Sequence, residues 1–147
     1  MAQIAVKEKF MGTWRLLECY GSWSDGRISY PYGEDPEGQL IYDGRDNFSG
    51  QIVGSGRRPF QTGNLLKGTQ EEIKEAFEGY IAYYGTYEVD ESKGQVTHHV
   101  VGALFPNWIG DVQTRNFSFE GQRLRLSTQS IKGSRADLTN ILLWERA

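Results

Sequence analysis

Several features that would assign a chain of 147 residues to a particular class are scarce or absent. The single cysteine, Cys19, excludes an internal disulfide and any zinc site built from several thiolates. No apolar run reaches the roughly 18 residues of a membrane-spanning helix, and the first residues contain no apolar signal-peptide core. Basic residues do not outnumber acidic ones, so no net positive charge attracts nucleic acid or an anionic membrane. We therefore expect a cytoplasmic protein that binds neither.

Glycine and aromatic residues are abundant instead. The chain has 18 glycines and 13% aromatic residues but 4 prolines. Tight turns favour glycine, and the pleated faces of strands favour aromatic rings. Short alternating segments recur, and glycine turns such as Asp43-Gly44 and Glu120-Gly121 close them. The pattern predicts a mainly β protein of eight or nine strands, folded as a single domain over residues 1–147. A closed antiparallel barrel is favoured because closure removes exposed sheet edges.

One segment has helical periodicity. Thr69 and Glu72 have the spacing of a capping box, in which each side chain bonds a free backbone N–H group of the first turn. Apolar residues then recur along one face, at Ile73, Ala76, Phe77, Tyr80 and Tyr84. We predict one amphipathic helix over about residues 69–84, packed through this face on apolar neighbours.

Two motifs at opposite ends of the chain carry a family resemblance. Gly12-Thr13-Trp14 begins the first predicted strand, and Trp144-Glu145-Arg146 ends the last. The pairing resembles the lipocalin (calycin) superfamily, in which the tryptophan plugs the closed end of an eight-stranded barrel and the arginine packs over its indole. Shorter motifs, among them Val96-Thr97-His98-His99-Val100 and Pro106-Asn107-Trp108, resemble a small lipocalin-like domain family of bacteria and fungi. The resemblance implies a lipocalin-like barrel but no single activity, since such barrels serve both carriers and enzymes.

Strand alternation suggests which ionisable groups enter the barrel. If Trp14 faces inward, Glu18 shares its parity, although a bulge would turn Glu18 out to solvent. His98 and His99 are adjacent on one strand and therefore face opposite sides, and the apolar residues of matching parity favour His98 as the inner one. An inward histidine could serve as a general acid or base, or simply as a hydrogen-bonded core residue.

Further candidate residues could contact a substrate or ligand directly. Arg115 lies on a face of mixed polar and aromatic residues, where its cation could bind a carboxylate, phenolate or enolate, or pair with Glu18. Asn140 has inward parity and could bond a ligand or join an internal network. Aromatic residues near strand ends either rim the mouth of a pocket or fill the core, and those we select as ligand-binding are Tyr30, Tyr42, Phe48 and Trp108.

These residues support two hypotheses for the function. The first is a binding protein that encloses a small, mainly hydrophobic molecule, either aromatic or polycyclic. The second is an isomerase, cyclase or lyase in which His98 or His99 acts with Glu18 and Arg115 by proton transfer. No phosphate-binding loop, dinucleotide fingerprint or nucleophile elbow is present, and the histidines lack metal-ligand spacing. We therefore predict no cofactor and no metal.

Overall fold

The computed structural model describes residues 5–147, so the first four residues of the predicted domain lie outside it. Nine strands and two α-helices follow one another along the chain, in the order α1 (Val6–Phe10), β1 (Gly12–Trp23), β2 (Ile28–Ser29), β3 (Glu37–Tyr42), β4 (Asn47–Val53), α2 (Gln70–Glu78), β5 (Tyr80–Asp90), β6 (Gln95–Ala103), β7 (Val112–Glu120), β8 (Arg123–Ser127) and β9 (Leu138–Arg146). A short 3₁₀ helix, Pro106–Trp108, lies between β6 and β7. No helix within the described residues is long and apolar enough to cross a membrane.

Eight of the strands close into an antiparallel barrel. β1 and β3 to β9 pair in sequence, and β1 also pairs with β9 to complete the ring. The two-residue strand β2 pairs only with the far end of β1. This architecture confirms the predicted closed, mainly β barrel.

The meander fixes the two ends of the barrel. We call one end the base; it carries α1 and the turns at residues 43–46, 91–94 and 121–122. We call the other end the mouth; it carries the longer connections at residues 24–36, 54–79, 104–111 and 128–137. The long connections, which include α2, thus all gather at the mouth.

The base is sealed by the residues that carry the family resemblance. Trp14 is 1% exposed, and its indole Nε1 donates to the carbonyl oxygen of Phe10 at 2.8 Å. The guanidinium carbon of Arg146 lies 4.2 Å from the centroid of the Trp14 ring. Arg146 also donates to the backbone carbonyls of Met11 and Lys9. The predicted cation–π contact is confirmed, and α1, which the sequence patterns did not indicate, closes the base beneath it.

The predicted helix is present but shorter than expected. Thr69 and Glu72 form the capping box, yet α2 ends at Glu78 and Gly79 caps it. The next residues, from Tyr80 onward, pair with β4 as strand β5, which suits their aromatic and β-branched side chains. The prediction to Tyr84 was wrong because the apolar face was counted across the junction of a helix and a strand.

The predicted packing of α2 is also wrong. Ile73 is 52% exposed and Phe77 is 46% exposed, and α2 has no buried residue. Polar contacts join the helix to the preceding loop instead, including the Arg57 Nη2 bond to the carbonyl of Ala76 at 3.1 Å. The apolar stripe therefore faces outward beside the mouth.

Candidate functional site

His98 lies at the centre of the barrel interior. It alternates on β6 with Val96 and Val100, which are 0% and 3% exposed, and is itself 1% exposed. Its Nε2 lies 2.7 Å from the hydroxyl oxygen of Tyr42. Phe48 stacks on the imidazole with ring centroids 4.2 Å apart. The structure therefore places His98 inside the barrel.

Burial controls the charge of this pair. Desolvation lowers the pKa of His98 to about 3, and the Arg115 cation acts in the same direction. Burial likewise raises the pKa of the Tyr42 hydroxyl well above its usual range. Both groups are consequently neutral at physiological pH, and their bond is one between neutral partners.

A small enclosed cavity adjoins His98. Its walls are mainly apolar, with Leu40, Ile52, Leu126 and Leu142 among the lining residues. The polar side chains that line it include Tyr83, His98, Arg115 and Trp144. The cavity volume of about 20 Å³ accommodates one water-sized group. A larger molecule can enter only if some of these side chains move.

Arg115 contributes a cation to this cavity. It pairs across the ladder with the buried Val96, which gives its side chain the same inward direction. Its Nη2 donates to Gln113 Oε1 at 2.9 Å, and its Nη1 donates to the carbonyl of Thr114 at 3.3 Å. Within residues 5–147 no carboxylate forms a salt bridge with it. The guanidinium is thus held in place while its charge is left without an anionic partner in the described chain.

Glu18 does not enter the interior. The pairing of β1 with β9 shifts register between Leu16 and Glu18, and this bulge reverses the alternation. Cys19 turns inward at 6% exposure, whereas Glu18 is exposed. The interior position expected from strict alternation is therefore wrong, and so is the alternative that Glu18 pairs with Arg115. Burial raises the pKa of the Cys19 thiol to about 11, so it stays protonated at neutral pH.

His99 also lies away from the cavity. Its Nε2 is 2.7 Å from Glu88 Oε1 on the outer face of the sheet. Of the four residues predicted to act in proton transfer, the structure brings together His98 and Arg115. It separates them from Glu18 and His99 by the barrel wall.

The residues selected as ligand-binding divide into two groups. Tyr42 and Phe48 are 0% and 3% exposed and lie in the interior. Both are near the base, because Tyr42 ends β3 and Phe48 is close to the start of β4. A position at the mouth is therefore wrong for these two. Tyr30 is 45% exposed in a mouth loop. Asn140 is half-buried and pairs with Gly21, closer to the mouth than the enclosed cavity.

Aromatic rings connect the mouth to His98. Trp108, on the 3₁₀ helix, meets Tyr83 edge to face with centroids 5.4 Å apart. Tyr83 in turn contacts Phe48, with centroids 5.3 Å apart, and Phe48 stacks on His98. These rings therefore form a continuous series of contacts from the mouth to His98.

Two cavity residues were missed at the level of sequence. Tyr83 was assigned to the helix, although the glycine at position 79 followed by Tyr80-Ile81 signals a strand. Trp144 entered the sequence analysis only as part of the terminal motif, and the structure shows that it lines the cavity. No group of three His, Cys, Asp or Glu residues within the described chain could hold a metal ion.

Comparison with known proteins identifies the family. The model of the lipocalin-like domain family matches residues 11–147, and the chain belongs to this family. A 4'-hydroxy-3'-methoxypropiophenone carrier protein of Aspergillus oryzae is 39% identical over 69 residues, which cover 43% of this chain and 62% of that protein. The chain thus spans less than two thirds of the length of this curated relative. No solved structure gives a significant match.

Proposed function

We propose that this protein is a cytoplasmic carrier that binds a small, mainly hydrophobic molecule inside its barrel. The observation that carries the proposal is an apolar, aromatic-lined interior holding a fixed cation, Arg115, without a carboxylate partner in the described chain. Ligand sites typically combine apolar walls with a few placed polar groups in this way. The partial similarity to a protein named as the carrier of an aromatic ketone supports the same conclusion.

The aromatic residues suit an aromatic or polycyclic ligand. Tyr83 lines the cavity and meets Phe48 edge to face, so a flat molecule there can pack against an aromatic ring. Trp108 stands above Tyr83, so we assign it to the entrance. Tyr30 and Asn140 lie on the mouth side of the cavity, and we retain them as contacts for a ligand longer than the cavity.

Catalysis by a histidine and a carboxylate receives less support. That hypothesis requires the two groups to meet in one apolar pocket, and His98 bonds Tyr42 instead. The histidine that does meet a carboxylate, His99 with Glu88, lies on the outer face. The geometry therefore favours binding over proton transfer by His98, Glu18 and Arg115.

Native mass spectrometry of protein purified from its own host tests the proposal, because a carrier retains its molecule. Binding of 8-anilinonaphthalene-1-sulfonate, followed by fluorescence, supplies a second measurement. Leu142→Phe fills the cavity, whereas Leu143→Phe changes the neighbouring leucine, whose side chain does not line it. We expect Leu142→Phe to weaken probe binding by about tenfold or more, and Leu143→Phe to leave it unchanged.

Circular dichroism of both variants verifies that each keeps the fold. Equal probe affinity in the two variants would place the probe outside the cavity. That result, or the absence of both a retained molecule and probe binding, would contradict the proposed function.

A further inference from the structure

Two residues that line the enclosed cavity carry buried polar atoms without a hydrogen-bond partner in the described chain. His98 Nδ1 and Trp144 Nε1 have no hydrogen-bond partner within the described chain, although their residues are 1% and 2% exposed. Both residues line the same cavity as Arg115. Buried polar atoms without partners destabilise the folded state, and their occurrence in a native structure calls for an explanation. Two such residues beside one cavity leave hydrogen-bonding groups there that a bound molecule could satisfy.

The chemistry of these atoms specifies what that partner must be. The indole nitrogen of Trp144 can only donate, and the same is true of the guanidinium of Arg115. For His98 the bond to Tyr42 decides the tautomer. An imidazole nitrogen accepts hydrogen bonds better than a phenol oxygen, so the Tyr42 hydroxyl donates to Nε2. The neutral ring then carries its hydrogen on Nδ1, which makes this atom a donor as well.

The lining groups that could accept a hydrogen bond either already do so or can donate instead. The side-chain oxygen of Gln51 accepts from the Tyr80 hydroxyl. The Tyr83 hydroxyl can either donate or accept. The unpaired capacity of the cavity is therefore mainly that of hydrogen-bond donors, and one of the donors is positively charged.

We propose that the ligand presents an oxygen that only accepts hydrogen bonds, as an aromatic ketone or carboxylate does, to His98 Nδ1, Trp144 Nε1 and Arg115. The inference rests on the proposed function and adds the ligand's chemical class and its orientation. The aromatic body of the ligand extends toward Phe48 and Tyr83, and its oxygen end lies against the donors. Amines and ammonium groups are disfavoured, because they would meet other donors and the Arg115 cation.

Four naphthalenes of similar size test this proposal on the unaltered protein. They are 2-acetylnaphthalene, 2-naphthoate, 2-isopropylnaphthalene and 2-naphthylmethylamine, and displacement of 8-anilinonaphthalene-1-sulfonate reports their affinities. We expect the affinities of the ketone and the carboxylate to exceed that of the hydrocarbon by about tenfold or more, because their oxygens accept from two or more donors. The amine, protonated at neutral pH, should bind most weakly.

Substitution of one donor sharpens the test. Trp144→Phe removes the indole N–H and keeps an aromatic ring, so ketone affinity should fall about threefold to tenfold while hydrocarbon affinity stays unchanged. Trp23→Phe is the matched control, because the Trp23 Nε1 bonds Ser29 near the mouth. It should change neither affinity.

The outcomes separate this inference from the proposed function. A hydrocarbon that binds as tightly as the ketone, or an equal loss of both in Trp144→Phe, would overturn the assigned ligand class and leave binding inside the barrel intact. If none of the four compounds binds, the assigned ligand class fails, and the retained molecule and the binding of 8-anilinonaphthalene-1-sulfonate still decide the proposed function. Should Trp144→Phe not fold, the ligand series on the unaltered protein decides the question alone.

Discussion

The buried tryptophan at the base of the barrel and the one at the cavity differ in their hydrogen bonds. Trp14 and Trp144 are 1% and 2% exposed, so burial does not distinguish them. The Trp14 N–H donates to the Phe10 carbonyl, and Arg146 stacks on its ring. The Trp144 N–H has no partner within the described residues. The two buried tryptophans therefore differ in the hydrogen bonding of their indole N–H groups and not in their burial.

The comparison extends to the two guanidinium groups. The Arg146 guanidinium donates hydrogen bonds to the backbone carbonyls of Met11 and Lys9 and stacks on the Trp14 ring, all at the base. Arg115 is held by Gln113 and the Thr114 carbonyl but borders a cavity. Arg146 therefore joins elements of the base, whereas Arg115 lies beside the cavity that we propose as the ligand site.

The largest expected effect is the loss of the plug at the base. Trp14→Ala removes a fully buried indole and should lower the free energy of unfolding by about 3–5 kcal/mol. Trp108→Ala removes a half-buried ring at the mouth and should cost no more than about 1 kcal/mol. Urea denaturation of both variants measures the difference. Comparable losses would show that the mouth contributes to stability as much as the base does.

A second prediction concerns the buried histidine and pH. The folded pKa of His98 is about 3, below the value of about 6.5 for an unfolded histidine. Between these pH values His98 is protonated in the unfolded chain and neutral in the folded chain. The free energy of unfolding therefore falls as the pH falls through this window. From pH 6.5 to pH 4.5 the loss should reach roughly 2–3 kcal/mol.

Matched histidine variants isolate this contribution. His98→Gln should remove about 2 kcal/mol of the pH dependence of unfolding, and His99→Gln should keep it. Because the chain has 2 histidines, the His99→Gln variant leaves one imidazole resonance, that of His98, for NMR titration. A His98 ring that titrates near pH 6.5 in the folded protein would contradict its burial as a neutral group.

Patterns of short range predicted much of the fold. The glycine turns and alternating segments predicted a barrel of eight or nine strands, because each strand carries its own signal, but the first residues of β5 were assigned to the helix. The inward side of β6 followed from the apolar residues around His98. The Trp14 and Arg146 contact followed from a resemblance that spans the chain, and not from local pattern.

Features that depend on register between distant strands could not be predicted. Glu18 faces outward because a bulge opposite β9 inserts one residue into β1, and nothing near Glu18 in the sequence marks the bulge. Helix α2 illustrates the related problem at a junction, where residues of a strand complete an apparent helical stripe.

The smallest expected effect tests how the mouth is held together. Phe77 on α2 is 46% exposed, so Phe77→Ser should change the free energy of unfolding by less than about 0.5 kcal/mol. Thr69→Ala removes the capping box and should cost about 1 kcal/mol, because the Glu72 N–H loses its acceptor. Urea denaturation measures the free energy of unfolding of both variants, and hydrogen exchange of the α2 amides measures the local stability of the helix. If Phe77→Ser costs more than Thr69→Ala, apolar packing holds the mouth as it does the base, and the contrast between the two ends fails.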